Sequence, residues 1–402
     1  MVNKFLYHGG GSETYIFKLG DFLKNQGHNV EYFGMSDDRN QVGNSVNSYT
    51  SNIDFHTKRA KKVLYTFKVI YSAEARKKIR KVLDAFHPDV VHLNNFNFQL
   101  TPSMIYEIKK YEKQIKKKVG IVFTAHDYQL VCPNHMMRNP ITGANCEKCI
   151  GSKFINCTKG KCIHSSTMRS VIGTIEGYFY KLLRTYRYID VIICPSQFLA
   201  NKMNTNPLFK AKTIVLHNFI DEFKWKSVEK EDYILYFGRF SEEKGIKTLI
   251  DVCKLLPDVT FIFAGKGPLE SAITGIPNIK NVGFQIGDSI EMLIRKARFS
   301  VCPSEWYENC PFSVMESQMY GTPVLGADIG GIPELIEVGK TGELFKSGDV
   351  SELKKMIELL WNDKARTEVY SQNCKDIKFD RISEYYIKLL QIYSYKVDDN
   401  EY

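Results

Sequence analysis

The stretch that most constrains the fold runs from Ser304 to Val324, because it contains the junctions between several secondary-structure elements. An apolar run at 299–302 precedes it and predicts a buried strand. Pro311 suits the first turn of a helix, where its missing N–H would have no partner, and Gly321 suits the end of that helix. The predicted order is therefore strand, loop, helix and strand, which is typical of an α/β fold.

Two carboxylates lie near the start of this helix, Glu308 in the loop and Glu316 within the helix. Carboxylate oxygens accept hydrogen bonds from the vicinal hydroxyls of a sugar or a ribose. The helix start at 309–312 also offers free backbone N–H donors to an anion. For an isolated pair, two solvated glutamates are the plainer interpretation, so a ligand site depends on the rest of the chain.

Length and composition indicate a globular protein of two domains. A chain of 402 residues is too long for one ordinary hydrophobic core, and 44% hydrophobic with 25% charged residues is a globular composition. The sequence contains no apolar run near the roughly 18 residues of a membrane-spanning helix, and we expect no signal peptide. We therefore expect a cytoplasmic protein whose ten cysteines are reduced or bound to metal.

Positive charge is concentrated in the first half of the chain. Residues 1–190 carry 29 Lys and Arg against 15 Asp and Glu, whereas residues 191–402 carry 26 against 30. Basic runs at 58–62, 76–81 and 109–118 indicate either a solvated surface or a patch that contacts anionic lipid at the inner face of a membrane. We do not expect nucleic acid as a partner, because aromatic residues do not interleave with these runs.

The N-terminal residues predict a β-α-β unit, with strands at Phe5–His8 and Asn29–Phe33 and a helix at about 13–26. Gly10 and Gly11 lie in the first turn, where backbone N–H groups can approach a phosphate closely. The alternative is a tight turn that binds no ligand. Such a turn would explain a single glycine better than the three consecutive glycines at 9–11.

His126 directly follows a predicted strand at Gly120–Ala125. A lone histidine is more often structural than functional. Ligand sites in open α/β sheets nevertheless lie at the carboxyl ends of strands, so we treat His126 as a candidate site residue.

The loop at 128–166 contains a cluster of cysteines with the spacing of a tetrahedral thiolate site. The cysteines could bind a structural zinc ion or remain free thiols. A zinc ion held by four thiolates would have no free coordination position for catalysis. The expected ligands are Cys146, Cys149, Cys157 and Cys162, with Cys132 as the alternate ligand.

The second half predicts another α/β domain. Arg239 and Lys244 follow a predicted strand at Tyr233–Phe237, and a pair of cations just past a strand end suits a diphosphate. Two later strands end in turns that contain Gly265, Gly267 and Phe284. Solvated turns are the alternative interpretation.

Several motifs resemble those of the retaining glycosyltransferases of family 4. The segment E-N-C-P-F-S-V-M-E-S-Q-M-Y-G-T-P-V at 308–324 is similar to their E-x7-E donor signature, and G-R-x4-K-G at 238–245 to their leaving-group clamp. H-G-G-G-S-E-T at 8–14, T-A-H-D at 124–127 and G-G-I-P-E at 330–334 also match in order. The resemblance covers nearly the whole chain and is strongest from 238 to 333.

This resemblance implies the GT-B fold, an α/β architecture of two Rossmann-like domains with parallel sheets that face a central cleft. We place the acceptor-side domain at 1–220, completed by a C-terminal helix at 380–402 that crosses back, and the donor domain at 221–379. The implied catalytic residues are Arg239, Lys244, Glu308 and His126. The implied donor-binding residues are Gly10, Gly11, Gly238, Gly265, Gly267, Phe284, Asn309, Cys310, Pro311, Phe312, Ser313 and Glu316.

The implied reaction is transfer of a hexosyl or N-acetylhexosaminyl group from a nucleotide sugar, UDP-sugar by default, without a catalytic metal. The acceptor would be a saccharide or lipid-linked saccharide of a bacterial surface polysaccharide. An epimerase or phosphorylase on the same fold, a nucleotide-binding protein without activity and a zinc-dependent nucleic-acid binder are the alternatives.

Overall fold

The chain forms two compact units in the computed structural model, which describes residues 1–52, 69–223, 225–226 and 228–397. The first unit holds Met1–Leu216 together with the C-terminal segment from Ile382, and the second holds His217–Arg381. The division after residue 216 comes four residues before the predicted boundary. Residue 382, where the chain rejoins the first unit, is two residues beyond the predicted position.

The first unit is built on a four-stranded sheet in which every pairing is parallel. The middle two strands are buried along their whole length, as expected for a sheet that is covered on both faces. In both chain order and spatial order, the strands are β1 (Val90–Leu93), β2 (Gly120–Thr124), β3 (Val191–Cys194) and β4 (Thr213–Val215).

The strand predicted at Phe5–His8 is wrong, and of the strand predicted at Asn29–Phe33 only Phe33 pairs, in a single bridge. The N-terminal chain instead forms single bridges centred on Val2, which pairs with Phe33 on one side and with Leu93 on the other. Most backbone hydrogen bonds of this region involve residues 1–4, ahead of the predicted strand. Within that strand the carbonyl of Leu6 accepts one from the Gln41 N–H, and the chain is exposed and bending by residue 8. The apolar run at 5–8 therefore follows the bridged residues and does not itself form a strand.

The helices of the first unit cover the sheet, and some of them begin at a side-chain cap. The hydroxyl oxygen of Ser72 accepts a hydrogen bond from the N–H of Ala75, and that of Ser166 accepts one from the N–H of Arg169. The helices are α1 (Gly11–Asn25), α2 (Ala73–Phe86), α3 (Ser103–Ile115), α4 (Ile155–Lys159), α5 (Thr167–Leu182), α6 (Gln197–Met203) and α7 (Pro207–Lys210).

The second unit has a six-stranded parallel sheet in the order β10-β9-β8-β5-β6-β7. Its strands are β5 (Glu231–Phe237), β6 (Phe261–Ala264), β7 (Ile279–Gly283), β8 (Ala297–Cys302), β9 (Val324–Ala327) and β10 (Gly342–Phe345). Its helices are α8 (Ile246–Leu255), α9 (Asp288–Lys296), α10 (Phe312–Met319), α11 (Val350–Asn362) and α12 (Lys364–Asn373). Both units are thus Rossmann-like.

The last helix, α13 (Ile382–Val397), belongs to the first unit and packs against α1 and β2. Two of its tyrosines reach into the interior of that unit. The hydroxyl of Tyr385 lies 2.7 Å from that of Tyr15, and the hydroxyl of Tyr393 lies 2.7 Å from Nδ1 of His92. These buried hydrogen bonds fix the helix on the first unit.

We expect the stability of the first unit to fall with rising pH because of Glu176, a buried carboxyl on α5. Burial raises the pKa of Glu176 to about 8, so the folded state keeps a proton that the unfolded state releases near pH 4.5. Stability is then lost as the pH rises from about 4.5 to about 8, by a few kcal/mol in order of magnitude.

The measurement is urea unfolding of the wild type and Glu176→Gln at pH 5 and pH 8. The variant should gain stability relative to the wild type at pH 8 and little at pH 5. Glu270→Gln, an exposed carboxylate, is the matched control. Equal stabilities of wild type and variant at both pH values would contradict the prediction.

Candidate functional site

The predicted donor residues of the second unit converge where its strand order reverses. After β5 the chain adds β6 and β7 on one side, then crosses to add β8, β9 and β10 on the other. Such a reversal opens a crevice at the carboxyl ends of the two adjoining strands. Arg239 and Lys244 follow β5, and Glu308 follows β8, so all three lie at this switch point.

Lys244 and Glu308 form an ion pair across the switch point. The Lys244 Nζ lies 2.5 Å from Oε1 of Glu308, and the hydroxyl of Ser304 donates to the same oxygen at 2.7 Å. The Glu308 side chain is 8% exposed and that of Lys244 is 29% exposed. An ammonium has three N–H donors, so Lys244 can hold Glu308 and still donate to a ligand.

The pair keeps both groups charged. Burial alone would raise the pKa of Glu308, but the charge and hydrogen bond of Lys244 and the hydroxyl of Ser304 outweigh it and hold that pKa below its ordinary value. Burial alone would lower the pKa of Lys244, but Glu308 outweighs it and raises that pKa. Glu308 is therefore a carboxylate that accepts hydrogen bonds.

Arg239 is the exposed cation of this cluster. Its side chain makes no hydrogen bond or ion pair with the described residues, although its carbonyl accepts a hydrogen bond of 2.8 Å from the hydroxyl of Tyr236. An exposed guanidinium just past the carboxyl end of a strand has its five N–H donors available to an anionic ligand.

Two glycines allow the close backbone contacts that position the Lys244–Glu308 ion pair. Gly245 has a φ of 71°, and a Cβ there would lie 1.8 Å from the carbonyl oxygen of Pro303. Gly330 has a φ of 62°, and a Cβ there would lie 2.3 Å from the carbonyl oxygen of Glu308. The adjacent Gly331 N–H donates to that same oxygen at 2.7 Å, so the Gly-Gly turn supports the Glu308 backbone.

We expect Gly330→Ala to destabilise the second unit by about 3 kcal/mol, since it combines a left-handed φ with a backbone clash. Gly339→Ala is the matched control, because Gly339 has a φ of 75° but open space around it. The control should cost only about 1 kcal/mol. Urea unfolding measures both, and equal costs would show that the contact with Glu308 has no effect.

The helix α10 begins at the switch point with the predicted donor residues Asn309, Cys310, Pro311, Phe312 and Ser313. The N-cap residue is Pro311, whose side chain makes no capping hydrogen bond, and the positive end of the helix dipole at this start suits an anionic ligand. Glu316 lies on the same helix and is half-buried.

The turns after β5 and β6 pack against each other through their backbones. The Phe240 N–H donates to the carbonyl of Lys266 at 2.9 Å. A Cβ at Gly265 would lie 1.9 Å from the carbonyl oxygen of Gly238, and one at Gly267 would lie 2.3 Å from that of Phe240. Close packing alone explains these glycines, so their donor role stays a prediction.

Phe284 follows β7 at the same edge of the sheet and is 64% exposed. Its ring is therefore accessible at the carboxyl ends of the strands, where a planar base could stack on it. This role also stays a prediction.

His126, Gly10 and Gly11 belong to the first unit, at the carboxyl ends of its strands. The His126 Nε2–H donates to Oδ1 of Asn94 at 2.9 Å, and burial lowers the pKa of His126 to about 3, so the ring is neutral at ordinary pH. The exposed Gly10–Gly11 turn is tied to the same loop, because the amide of Asn95 donates to the hydroxyl of Ser12 at 2.9 Å.

The cysteine-rich loop holds four of its thiols as two pairs. A hydrogen bond with Cys149 lowers the pKa of Cys132, and a hydrogen bond with Cys157 lowers the pKa of Cys162 to about 7. Cys149, Cys157 and Cys162 share an apolar cluster, whereas Cys146 is half-buried outside it. In the described residues, no group of three or more His, Cys, Asp and Glu side chains is placed to hold a metal ion.

Structural zinc therefore stays a prediction, and the placement of the thiols favours Cys132 over Cys146 as the fourth ligand. If the prediction holds, metal analysis of the purified protein should find about one zinc per chain, lost in Cys149→Ser and kept in Cys146→Ser. Protein that is fully folded without metal would contradict it.

Sequence reasoning missed several residues that position the site. Ser304 orients Glu308, Asn94 orients His126, and the amide of Asn218 donates to the carbonyl of Cys310 at 2.9 Å. Ser304 immediately follows Pro303 after β8, and its position at a strand end was a usable signal. The partners of the two asparagines are distant in the chain and left no sequence signal.

The fold agrees with solved structures of the GT-B class. The HepE protein of Anabaena, solved in complex with UDP, has a TM-score of 0.67 and 17% identity to this chain, and the match covers 98% of each chain. Its complex with UDP-glucose gives a TM-score of 0.66 at 17% identity, again over 98% of each chain. Two Rossmann-like units with parallel sheets thus define a GT-B fold.

Sequence comparison places the chain in a family. Residues 9–222 match the family described as Glycosyltransferase Family 4, and residues 218–376 match Glycosyl transferases group 1. Since the first match alone covers more than half of the 402 residues, the chain belongs to the family 4 glycosyltransferases.

Two curated relatives match parts of the chain. An uncharacterized glycosyltransferase of Methanocaldococcus jannaschii is 28% identical over 212 residues, which cover 51% of this chain and 59% of that protein. The amylovoran biosynthesis glycosyltransferase AmsK of Erwinia amylovora is 31% identical over 136 residues, 30% of this chain and 33% of that protein. The chain thus matches less than two thirds of the length of these relatives.

Proposed function

We propose that the protein is a retaining glycosyltransferase that moves a sugar from a nucleotide sugar to an acceptor hydroxyl. The observation that carries this proposal is the Lys244–Glu308 ion pair at the switch point, with the exposed Arg239 in the same loop after β5. Cations suit the diphosphate of the donor, and a carboxylate held in the ionised form suits its sugar hydroxyls.

Each residue has a role in this reaction. Arg239 and Lys244 stabilise the negative charge that develops on the departing diphosphate, which is usually the largest catalytic contribution. Glu308 accepts hydrogen bonds from the donor sugar, Glu316 binds the ribose, and the neutral His126 contacts the transferred sugar. The reaction proceeds by front-face displacement assisted by the leaving phosphate, with no enzymic nucleophile and no catalytic metal.

We propose a UDP-sugar as donor, supported by the complexes of HepE with UDP and UDP-glucose. We propose a saccharide or lipid-linked saccharide of a surface polysaccharide as acceptor, supported by the relative named for amylovoran biosynthesis. The sugar that is transferred is a hexose or an N-acetylhexosamine.

A thermal-shift series with UDP, GDP and ADP tests the donor site. A nucleotide at about 100 times its Kd stabilises a protein by about 2.7 kcal/mol, so UDP should raise Tm by several degrees while GDP and ADP do not. No shift with any of the three nucleotides would overturn the donor-site assignment.

Turnover tests the reaction. UDP release from a UDP-sugar should depend on an added acceptor, and NMR of the product should show the anomeric configuration of the donor. An epimerase would convert the donor without acceptor, a phosphorylase would need phosphate, and an inverted product would refute retention.

A further inference from the structure

The helix α5 carries an apolar surface that faces solvent. Five of its side chains are between 37% and 83% exposed, and they follow one another at intervals of three and four residues: Met168, Val171, Ile175, Tyr178 and Leu182. At 100° per residue these positions fall within an arc of about 80°. We call them the α5 stripe.

The stripe is not the face by which α5 packs on the protein. The other side of the helix is buried, and a Cβ at Gly173 would lie 2.4 Å from the side chain of Ile163. The helix start is capped by Ser166. Ile155, which is 46% exposed, adjoins the stripe, because its N–H donates to the hydroxyl of Tyr178 at 3.3 Å. The helix thus packs on the protein through small and polar residues such as Ser170, Gly173 and Thr174, and its apolar face is left uncovered by the described residues, which is typical of a docking surface.

The sequence segment that carries the stripe is basic and has no exposed acidic residue. Between residues 148 and 189 the sequence has one acidic residue, Glu176, and that side chain is buried. The same segment has eight basic residues, none of which forms an ion pair with the described part of the chain: Lys148, Lys153, Lys159, Lys161, Arg169, Lys181, Arg184 and Arg187.

The basic runs that the sequence suggested for membrane contact are less suitable. In the run at 76–81, Arg76 pairs with Glu107 at 2.7 Å and Arg80 with Asp84 at 2.8 Å. In the run at 109–118, three of the lysines pair with carboxylates: Lys109, Lys117 and Lys118. The run at 58–62 lies outside the described residues.

We propose that the α5 stripe and its basic border dock the protein on an anionic membrane surface. The apolar side chains would enter the boundary between headgroups and acyl chains, and the lysines and arginines would contact anionic headgroups. A second copy of this chain is a poorer occupant, because it would bring two acid-free basic borders together. No helix in the described residues is long and apolar enough to cross a bilayer, so the contact is peripheral.

Vesicle cosedimentation of the full chain tests this surface. The wild type should bind vesicles of phosphatidylcholine and phosphatidylglycerol, bind pure phosphatidylcholine much more weakly, and be released by high salt. The variant Ile175→Glu with Leu182→Glu should bind the anionic vesicles at least about tenfold more weakly. Both side chains are exposed, so the fold should be kept.

Val369→Glu, at an apolar side chain that is 57% exposed in the second unit, is the matched control and should bind like the wild type. Equal binding by the double variant would overturn the proposal, as would failure of the wild type to bind. A wild type that sediments as a dimer, with a monomeric double variant and no vesicle binding, would assign the stripe to self-association instead. The proposal does not depend on the sugar-transfer reaction, and a Tm shift of the double variant with UDP reports on the donor site separately.

Discussion

Lys244→Met is expected to destabilise the second unit by about 3 kcal/mol. The substitution keeps most of the side-chain volume but removes the charge 2.5 Å from Glu308, whose side chain is 8% exposed. Removing one partner of a buried ion pair costs about 3–5 kcal/mol, because the other charge stays buried and unpaired. The Lys244 side chain is 29% exposed, so water can partly replace it, which favours the lower end of that range.

A double-mutant cycle separates the pair from general packing. Adding Glu308→Gln to Lys244→Met removes the unpaired charge and should recover part of the lost stability, as urea unfolding will show. Lys247→Met is the matched control, because its ion pair with Glu242 is exposed on both sides and should be worth less than about 1 kcal/mol. If the loss of stability in the double variant equals the sum of the losses in the two single variants, the interaction between Lys244 and Glu308 does not contribute to stability.

In the wild type, the contribution of the Lys244–Glu308 pair to stability should be nearly constant across neutral pH. The pKa of Glu308 is lowered, so its contribution is present above its ordinary value and is lost only as the pH falls through the folded value. The pKa of Lys244 is raised, so its contribution is present below its ordinary value and is lost only as the pH rises through the folded value. In Lys244→Met the effect of burial on Glu308 is no longer opposed by Lys244, so the pKa of Glu308 rises and the variant should lose more stability relative to the wild type at pH 8 than at pH 6, as urea unfolding will show.

Local sequence signals predicted the elements that carry the site. The apolar run before Ser304, the proline at 311 and the glycine at 321 predicted β8, α10 and the turn after it. Each of these signals acts within a few residues, through burial, a missing donor or a left-handed turn. The assignment to family 4, made from motifs, is confirmed by the family matches.

Long-range pairing could not be predicted in the same way. The strand order that puts β5 beside β8, and hence Lys244 beside Glu308, depends on a crossover that no short motif encodes. The hydrogen bond between Cys132 and Cys149 depends on how a long loop packs, and the choice of zinc ligands in that loop stays a prediction. The first strand was misplaced because Phe5–His8 is more apolar than the Val2 segment that actually pairs.

Arg239→Ala should abolish most donor binding and activity without changing stability. The side chain is exposed and makes no contact that the described fold needs, so the change in unfolding free energy should stay within about 0.5 kcal/mol. Removing one preorganised group that stabilises transition-state charge typically lowers kcat by about 10²–10³. The Tm shift with UDP should shrink or vanish in the same variant.

Arg239→Lys separates charge from geometry. Lysine keeps the positive charge but lacks the planar fork that donates two hydrogen bonds to one phosphate, so it should restore UDP binding more than kcat. Lys247→Ala, a nearby exposed cation, should change neither quantity. If Arg239→Ala keeps both full UDP binding and full kcat, the guanidinium does not contact the diphosphate, and the charge for the leaving group must come from Lys244 and the open start of α10.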